Sequence, residues 1–266
     1  MHLITVVLLL MVCSFAHSAE PADCTLRMSA ETDFPPHLIK QDQQWTGLSV
    51  ELMQRLAQEV GCQLEFVHSP WLRALQLSEQ GQLDILSHLS VSEQRRAQFA
   101  FIGPHHIESI YLVGDPSQVT APASLQQLAE GADVGSIATL HGAYYGEEFL
   151  RLSQLPLFAT QLVSISSIQD KLALLRAKRV KVILEDISVL HYWQQHKYPD
   201  AERYQPLLKV YESPVYFGFS KASLSVNQLK QLAEAWQRLY QQGELSAIYQ
   251  KYQIAPDEQL TPAPLL

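Results

Sequence analysis

Basic residues are in short supply in this chain: 19 Lys and Arg face 27 Asp and Glu, a formal net charge of −8. No Lys/Arg stripe relieves that balance, which excludes a nucleic-acid interface and disfavours docking on an anionic membrane surface. Long apolar runs are also lacking after the first fifteen residues, so no later segment reads as a membrane span. There is no tandem repeat and no low-complexity tract. The nucleophile elbow G-x-S-x-G, the zinc motif H-E-x-x-H, the phosphate loop G-x-x-x-x-G-K-[ST] and the dinucleotide glycine fingerprint are all missing. Cysteine is rare, with three in the chain, and no Cys/His spacing of a metal module occurs.

The chain opens MHLITVVLLLMVCSFAHSAEPADC. Its apolar stretch from Leu3 to Phe15 is too short to span the ~30 Å hydrocarbon core of a bilayer as a helix, and reads as the central region of a signal peptide. Ala16-His17-Ser18 sets small residues where a leader peptidase inspects them, so residues 1–19 are expected to be removed and the remainder exported. Val12 before Cys13 does not suit a lipoprotein cleavage site. Cys13 leaves with the leader, and Cys24 and Cys62 stay behind in an oxidising compartment. Each opens a strand-like run, "CTLRMSAE" and "CQLEFVH". If those strands are parallel neighbours, their sulfurs share a register and a disulfide worth about 3–4 kcal/mol follows; the alternative is two buried thiols.

A hydrophobic fraction of 47% is enough to build a core from the rest, in one large domain or two smaller ones. Strand and helix signals alternate. "LRMSA" precedes "GLSVELMQRLAQEV", where Leu48, Leu52, Leu56 and Val60 recur at helical spacing. "CQLEFVH", the helix "PWLRALQLSEQ", a Gly81 stop and the strand "DILSHLS" complete a β-α-β-α-β unit. After the turn-rich "LVGDPSQVTAPAS" comes a second set: helix "LQQLAEG", strand "DVGSI", helix "GAYYGEEFLRL", strand "QLVSI", helix "SIQDKLALLRAKR" and strand "VKVILE". The tail adds the strand "VYFGFSK" and a long helix from Val226 to Gln242. Two α/β units in an exported chain suggest two lobes facing a cleft, with ligand-binding loops at the carboxyl ends of the strands.

At one such end, Ser87, Ser90 and Ser92 supply hydroxyls and Arg95 a guanidinium a few residues on. A rigid fork beside hydroxyl and backbone donors is the chemistry of a carboxylate pocket; the alternative for Arg95 is a structural salt bridge.

Four elements in order carry a more specific likeness. They are "W-x-G-L-S-V-E-L-M" (Trp45 to Met53), "W-L-R-A-L…G-Q-L-D" (Trp71 to Asp84), "S-x-x-R-R-A-Q-F-A-F-x-x-P" (Ser92 to Pro104) and "Y-F-G-F-S-K" (Tyr216 to Lys221). Together they resemble family 3 of the bacterial extracellular solute-binding proteins, the periplasmic receptors typified by the histidine-, glutamine- and lysine/arginine/ornithine-binding proteins. The resemblance implies an α/β fold of type II, with two lobes, each a mostly parallel sheet flanked by helices, joined by two crossing segments. Lobe 1 would comprise residues 20–113 and 214–266, and lobe 2, residues 114–213, would be inserted. The crossings are expected at Tyr111 to Val113 and Pro214 to Phe217.

The resemblance also assigns roles. The carboxylate-binding arginine falls on Arg95, with small polar neighbours at Ser87, His88 and Ser90. The aromatic that stacks on the ligand falls on Phe34 in "DFPPH", whose alternative is a core ring. The acid that pairs with a ligand amino group falls on Asp186, next to Glu185; only one of two successive side chains faces the cleft, and capping the helix "ISVLHYW" is a second use for Asp186. Where relatives carry Gly-Ser/Thr-Thr in the second lobe, this chain has "ATLHGAYYGEEF", so Thr139 and His141 are the polar candidates there. The implied function is a monomeric periplasmic receptor for a small carboxylate-bearing ligand, an amino acid or related molecule, delivered to an ABC transporter and needing no cofactor.

Three other readings stay open. The histidines His37, His88, His105, His106 and His141 fall near the cleft loops, but without a metal-ligand spacing no residue is assigned to a metal. A dehydratase-like enzyme on the same fold would use Glu185, His88 or His141 as acid or base. A stand-alone sensor component would bind the same ligand for a different partner.

Overall fold

Two strands of 16 residues each, Phe99–Gly114 and Gln205–Ser220, pair antiparallel from end to end and carry the architecture. In the computed structural model, which describes residues 24–31, 34–168, 170–254 and 265–266, they are β6 and β10. The signal peptide expected over residues 1–19 lies outside the described residues. The elements before β6 are β1 (Thr25–Ser29), β2 (Ile39–Gln41), β3 (Gln44–Thr46), α1 (Leu48–Glu59), β4 (Gln63–Val67), α2 (Trp71–Glu79), β5 (Ile85–Ser90) and α3 (Glu93–Gln98). Between β6 and β10 lie α4 (Leu125–Ala129), β7 (Ile137–Leu140), α5 (Glu147–Leu152), α6 (Pro156–Ala159), β8 (Leu162–Ile165), α7 (Asp170–Arg176), β9 (Val182–Asp186) and α8 (Ile187–Gln195). The helices α9 (Val226–Gln241) and α10 (Ser246–Tyr252) follow β10. No helix among the described residues is long and apolar enough to cross a membrane.

The main sheet has the order β4-β1-β5-β10-β6-β9-β7-β8. Strands β4, β1 and β5 run parallel on one side of the long pair, and β9, β7 and β8 run parallel on the other. β5 pairs with β10 only over Val215–Phe219, whereas β9 pairs with β6 only over Ile110–Gly114. Each long strand therefore belongs to one half of the sheet at one end and to the other half at the other. Its pairing slips at three bulges, between Pro206 and Leu208, Lys209 and Tyr211, and Val215 and Phe217, each of which bends and twists the ladder.

Helices cover both faces, so the strands are buried on both sides. Along β6, Phe99 and Phe101 enter a cluster with Leu83, Leu86 and Leu89, while Ala100 and Ile102 enter the cluster of Leu52, Leu56, Phe217 and Trp236. That is the period of two expected of a strand. In the other half, Val182 and Leu184 of β9 pack with Leu128, Phe149, Leu152 and Phe158, and Ile183 points the opposite way. Cys24 and Cys62, immediately before β1 and β4, are joined by a disulfide with Cα atoms 4.6 Å apart, because the parallel pairing sets Thr25 opposite Gln63.

The structure departs from the sequence reading in several places, among them these. The strand expected at Asp133–Ile137 begins only at Ile137. The helix expected from Gly142 begins at Glu147, because Gly142 and Gly146 hold φ of 77° and 90°. At Gly146 a Cβ would stand 2.6 Å from Cδ2 of Tyr211, so the close approach of the long strand requires glycine. The first half of β10, "QPLLKVYES", was not foreseen: its half-exposed side chains lack clean alternation, and Pro206 and Pro214 argue against a strand interior.

Candidate functional site

The parallel strands of the two halves end on a common cleft. β1 and β5 deliver Ser29, Ser87, His88 and Ser90 from one side; the loop after β7 delivers Tyr144 and Tyr145 from the other, with Lys171 on α7 and Glu185 on β9. Glu108, midway along β6, stands between them. The space between them is a cleft partly open to solvent, of the concave kind that small-molecule sites use.

Arg95 is presented by α3, a helix of 6 residues whose N-cap is Ser92; the Ser92 hydroxyl accepts the Arg95 backbone N–H at 3.3 Å. The guanidinium spans the cleft. Its Nη1 donates to the Ser90 carbonyl at 3.0 Å and its Nη2 to the Gly142 carbonyl at 3.1 Å. It also sits 6.0 Å from the ring centroid of Tyr144, within cation–π range. Burial lowers its pKa from the ordinary value against the pull of Glu108, and an arginine so shifted remains a cation.

Opposite charges line the facing wall. Glu185 Oε1 accepts from Lys171 Nζ at 3.2 Å and from the Asp186 backbone N–H at 3.0 Å. Burial alone would lower the Lys171 pKa, but Glu185 beside it turns the net shift upward, so the buried ammonium persists. Glu108 is pushed up to about 8, first by burial and then by the charges of Asp186 and Glu185. The nearest polar contact to it is the Ser90 hydroxyl, 3.5 Å from Oε2. Asp186 is pushed up to about 6, by burial foremost.

Of the residues expected from the sequence, Phe34, Ser87, His88, Ser90 and Arg95 line this cavity. Ser92 does not; it caps α3. Asp186 does not line it either: it is the N-cap of α8, with Oδ1 accepting the Ser188 N–H at 2.6 Å, and its neighbour Glu185 takes the wall position. Thr139 and His141 lie along a neighbouring groove with Ser164, whose hydroxyl is 3.3 Å from His141 Nδ1. Glu108 and Lys171 were not foreseen. Glu108 did carry a signal, since it is the one charged residue between Arg96 and Asp115, inside an otherwise apolar and histidine-bearing strand. Lys171 carried none, because a lysine near a helix start reads as solvent-facing.

Four of the five histidines noted in the sequence converge beside the cavity. His37, on the turn before β2, packs there because Gly47 (φ 114°) lets the chain pass the His37 carbonyl, where a Cβ would come within 2.4 Å. The rings of His37 and His106 stack 4.5 Å apart, and His88 meets His37 edge-on at 4.3 Å. His105 Nε2 is 2.8 Å from the Ser87 carbonyl, and its Nδ1 is 2.8 Å from His106 Nδ1. Burial pushes all four pKa values down, that of His105 to about 4, so the cluster is neutral.

With this geometry in hand, comparison with known proteins gives one consistent answer. Residues 26–255 match the sequence profile of "Bacterial extracellular solute-binding proteins, family 3". Among solved structures, an ancestral arginine-binding protein bound to arginine superposes with a TM-score of 0.74 at 19% identity, covering 87% of this chain and 99% of that one. A histidine kinase sensor domain with similarity to periplasmic binding proteins gives 0.72 at 20% identity, over 90% and 98%. An ancestral amino acid-binding protein described as a precursor of cyclohexadienyl dehydratase gives 0.69 at 18% identity, over 86% and 95%. At these identities the likenesses speak for the two-lobed fold.

Proposed function

Because the chain belongs to family 3 of the bacterial extracellular solute-binding proteins, we propose that it is a periplasmic receptor whose lobes close around a small carboxylate-bearing ligand, an amino acid or related polar molecule. The observation that carries this reading is Arg95, a half-buried cation on the cavity wall within hydrogen-bond reach of both halves. A ligand carboxylate would take over its two N–H groups as a charge-assisted, bidentate pair, stronger than the neutral carbonyl contacts it replaces. Ser87 and Ser90 add hydroxyl donors, and Phe34 offers a ring face to the ligand's apolar part.

The amine-binding role expected of Asp186 passes in this proposal to Glu108. Asp186 is committed to α8, and Glu185 is paired with Lys171, whereas Glu108 lines the cavity with one long contact. A ligand ammonium between Glu108 and Glu185, with its carboxylate on Arg95, would draw the Glu108 carboxyl, which burial favours in its protonated form, to the charged form and bring groups from both halves together, so ligand binding favours the closed arrangement. We place the hinge at residues 107–109 and 211–214, between the stretch of β6 paired with β9 and the stretch of β10 paired with β5.

For the consequence of binding, delivery to an inner-membrane ABC permease by a monomeric receptor is the primary proposal, with a sensor partner as the alternative. The test is a thermal-shift screen of the ligand-stripped protein against amino acids, organic acids and short peptides. A ligand at a hundred times its dissociation constant adds about 2.7 kcal/mol of stability. A hit erased by Arg95→Ala supports the receptor, and consumption of the hit would make it an enzyme. Loss of labelled-ligand uptake in cells lacking the protein would support the permease role.

A further inference from the structure

The histidine cluster holds more than the receptor reading uses. His37 Nδ1, His88 Nε2 and His106 Nε2 are each buried without a hydrogen-bond partner. One ring nitrogen from each of the same three residues lies within 4.8 Å of the others. We propose that His37, His88 and His106 bind a late first-row divalent cation, with Zn²⁺ as the reference ion, through three neutral imidazoles that leave a fourth position facing the ligand cavity.

The hydrogen bonds behind the three rings support this assignment. The Ser87 carbonyl can only accept, so His105 Nε2 carries the proton and donates to it. The Nδ1 of neutral His105 is then an acceptor, and His106 Nδ1 must donate to it. That leaves His106 Nε2 as a bare lone pair, fixed by a relay that ends on the backbone. His88 Nδ1 has the Ser87 hydroxyl at 3.2 Å, and His37 Nε2 has the Ser188 hydroxyl at 3.1 Å. Each ring thus engages one nitrogen and leaves the other buried and unpartnered, the division of labour that metal-bound histidines show. Three buried ring nitrogens without a partner, on rings packed against one another, have no structural use as a polar wall.

Geometry fits as well. Tetrahedral Zn²⁺ with bonds of about 2.0–2.1 Å requires nitrogens roughly 3.3 Å apart, a modest ring rotation from a group within 4.8 Å. Three protein ligands define an open site, and His88 lines the solute cavity, so the fourth ligand would be water or a cavity-bound carboxylate. The inference does not depend on Arg95.

The experiment uses the chain purified without a histidine tag, stripped with EDTA, and titrated calorimetrically with Zn²⁺. One ion per chain is expected, weakened at least about 100-fold in His88→Ala and in His106→Ala, and unchanged in Arg95→Ala. Loss of amino-acid binding with retention of metal in Arg95→Ala separates the two sites. Failure to find any amino-acid ligand, with metal binding intact, would sink only the receptor reading. The proposal is overturned if the native chain takes up no saturable Zn²⁺, or if both histidine variants bind it as before, which would assign the ion to exposed histidines such as His68, His191 or His196. Should the variants fail to fold, Co²⁺ in the native chain decides: the intense visible bands of four-coordinate Co²⁺ sustain the site, and a pale octahedral spectrum rejects it.

Discussion

Arg95 reaches from α3 to the loop after β7, where its Nη2 donates to the carbonyl of Gly142 at 3.1 Å while Nη1 holds Ser90 at 3.0 Å. One side chain therefore ties the two halves of the sheet together across the cleft. The positive φ of Gly142 turns its carbonyl toward the arginine, and Tyr144 two residues on lies under the guanidinium.

Arg95→Ala is expected to remove ligand binding, by about 10²-fold or more, with secondary structure intact. Truncating one partner of a desolvated charge pair costs about 2–5 kcal/mol. Arg95→Lys should recover little, since an ammonium cannot reproduce the fork. Calorimetry of each variant with the screened ligand, alongside circular dichroism, checks both statements; binding within threefold of the native value in Arg95→Ala would reject the carboxylate role.

Glu108 and Asp186 should separate by phenotype. Glu108→Gln is expected to weaken an amine-bearing ligand by about 10- to 100-fold, one charge-assisted hydrogen bond of about 1.5–3 kcal/mol, and to leave a deaminated analogue nearly unaffected. Asp186→Ala should instead lower stability by about 1 kcal/mol through loss of the α8 cap, and Asp186→Asn, which still caps, by much less. Paired titrations with the two ligands and urea unfolding of the three variants distinguish these outcomes. Ligand discrimination lost in Asp186→Asn rather than Glu108→Gln would return the amine site to Asp186.

The disulfide closes a loop between residues separated by 38 positions. Loop-closure entropy assigns it about 4 kcal/mol. Replacing Cys24 and Cys62 together by serine should lower the unfolding free energy by that order, read as an earlier denaturant midpoint with little change in slope. An unaltered midpoint would mean that the parallel pairing of β1 and β4 alone holds the edge of the sheet.

Asp84 accepts three hydrogen bonds from Arg27: from the backbone N–H at 2.8 Å, Nε at 2.9 Å and Nη2 at 2.8 Å. Burial alone would raise its pKa, but the bonds from Arg27 outweigh that and bring it below the ordinary 3.8. A carboxylate depressed on folding contributes stability that is fully present above its unfolded pKa of about 3.9 and is lost as pH falls through the folded value. Asp84→Asn is therefore expected to cost about 2 kcal/mol near neutrality and progressively less below about pH 4. Unfolding free energies of both proteins from pH 7 to pH 3 test this; a difference that stays constant or grows toward acid would refute it.

Much of this molecule is legible in its sequence. The apolar spacing of Leu48, Leu52 and Leu56 dictates α1, Ser92 three residues before Arg95 starts α3, and the strand-like runs after Cys24 and Cys62 set the disulfide partners in one register. These are local facts, decided by helical and strand periodicity and by capping. The end of β5 likewise brings Ser87, Ser90 and Arg95 to one lobe's edge of the cleft, while Phe34 and His88 were legible only through the resemblance to the solute-binding family.

The opposite wall was decided by tertiary structure. β9 is buried on both faces, so its uniformly apolar run offers no alternation to tell which of Glu185 and Asp186 faces the cavity. The start of α8 settles it by claiming Asp186 as its cap. Lys171, on α7, is buried because Glu185 of β9 sits against it. The long pairing of β6 with β10 carries Glu108 to the centre of the cleft, and the fold of β1, β5 and β6 gathers His37, His88 and His106 from three separate segments. Convergence of that kind depends on strand order and register across the whole sheet, which residue periodicity does not encode.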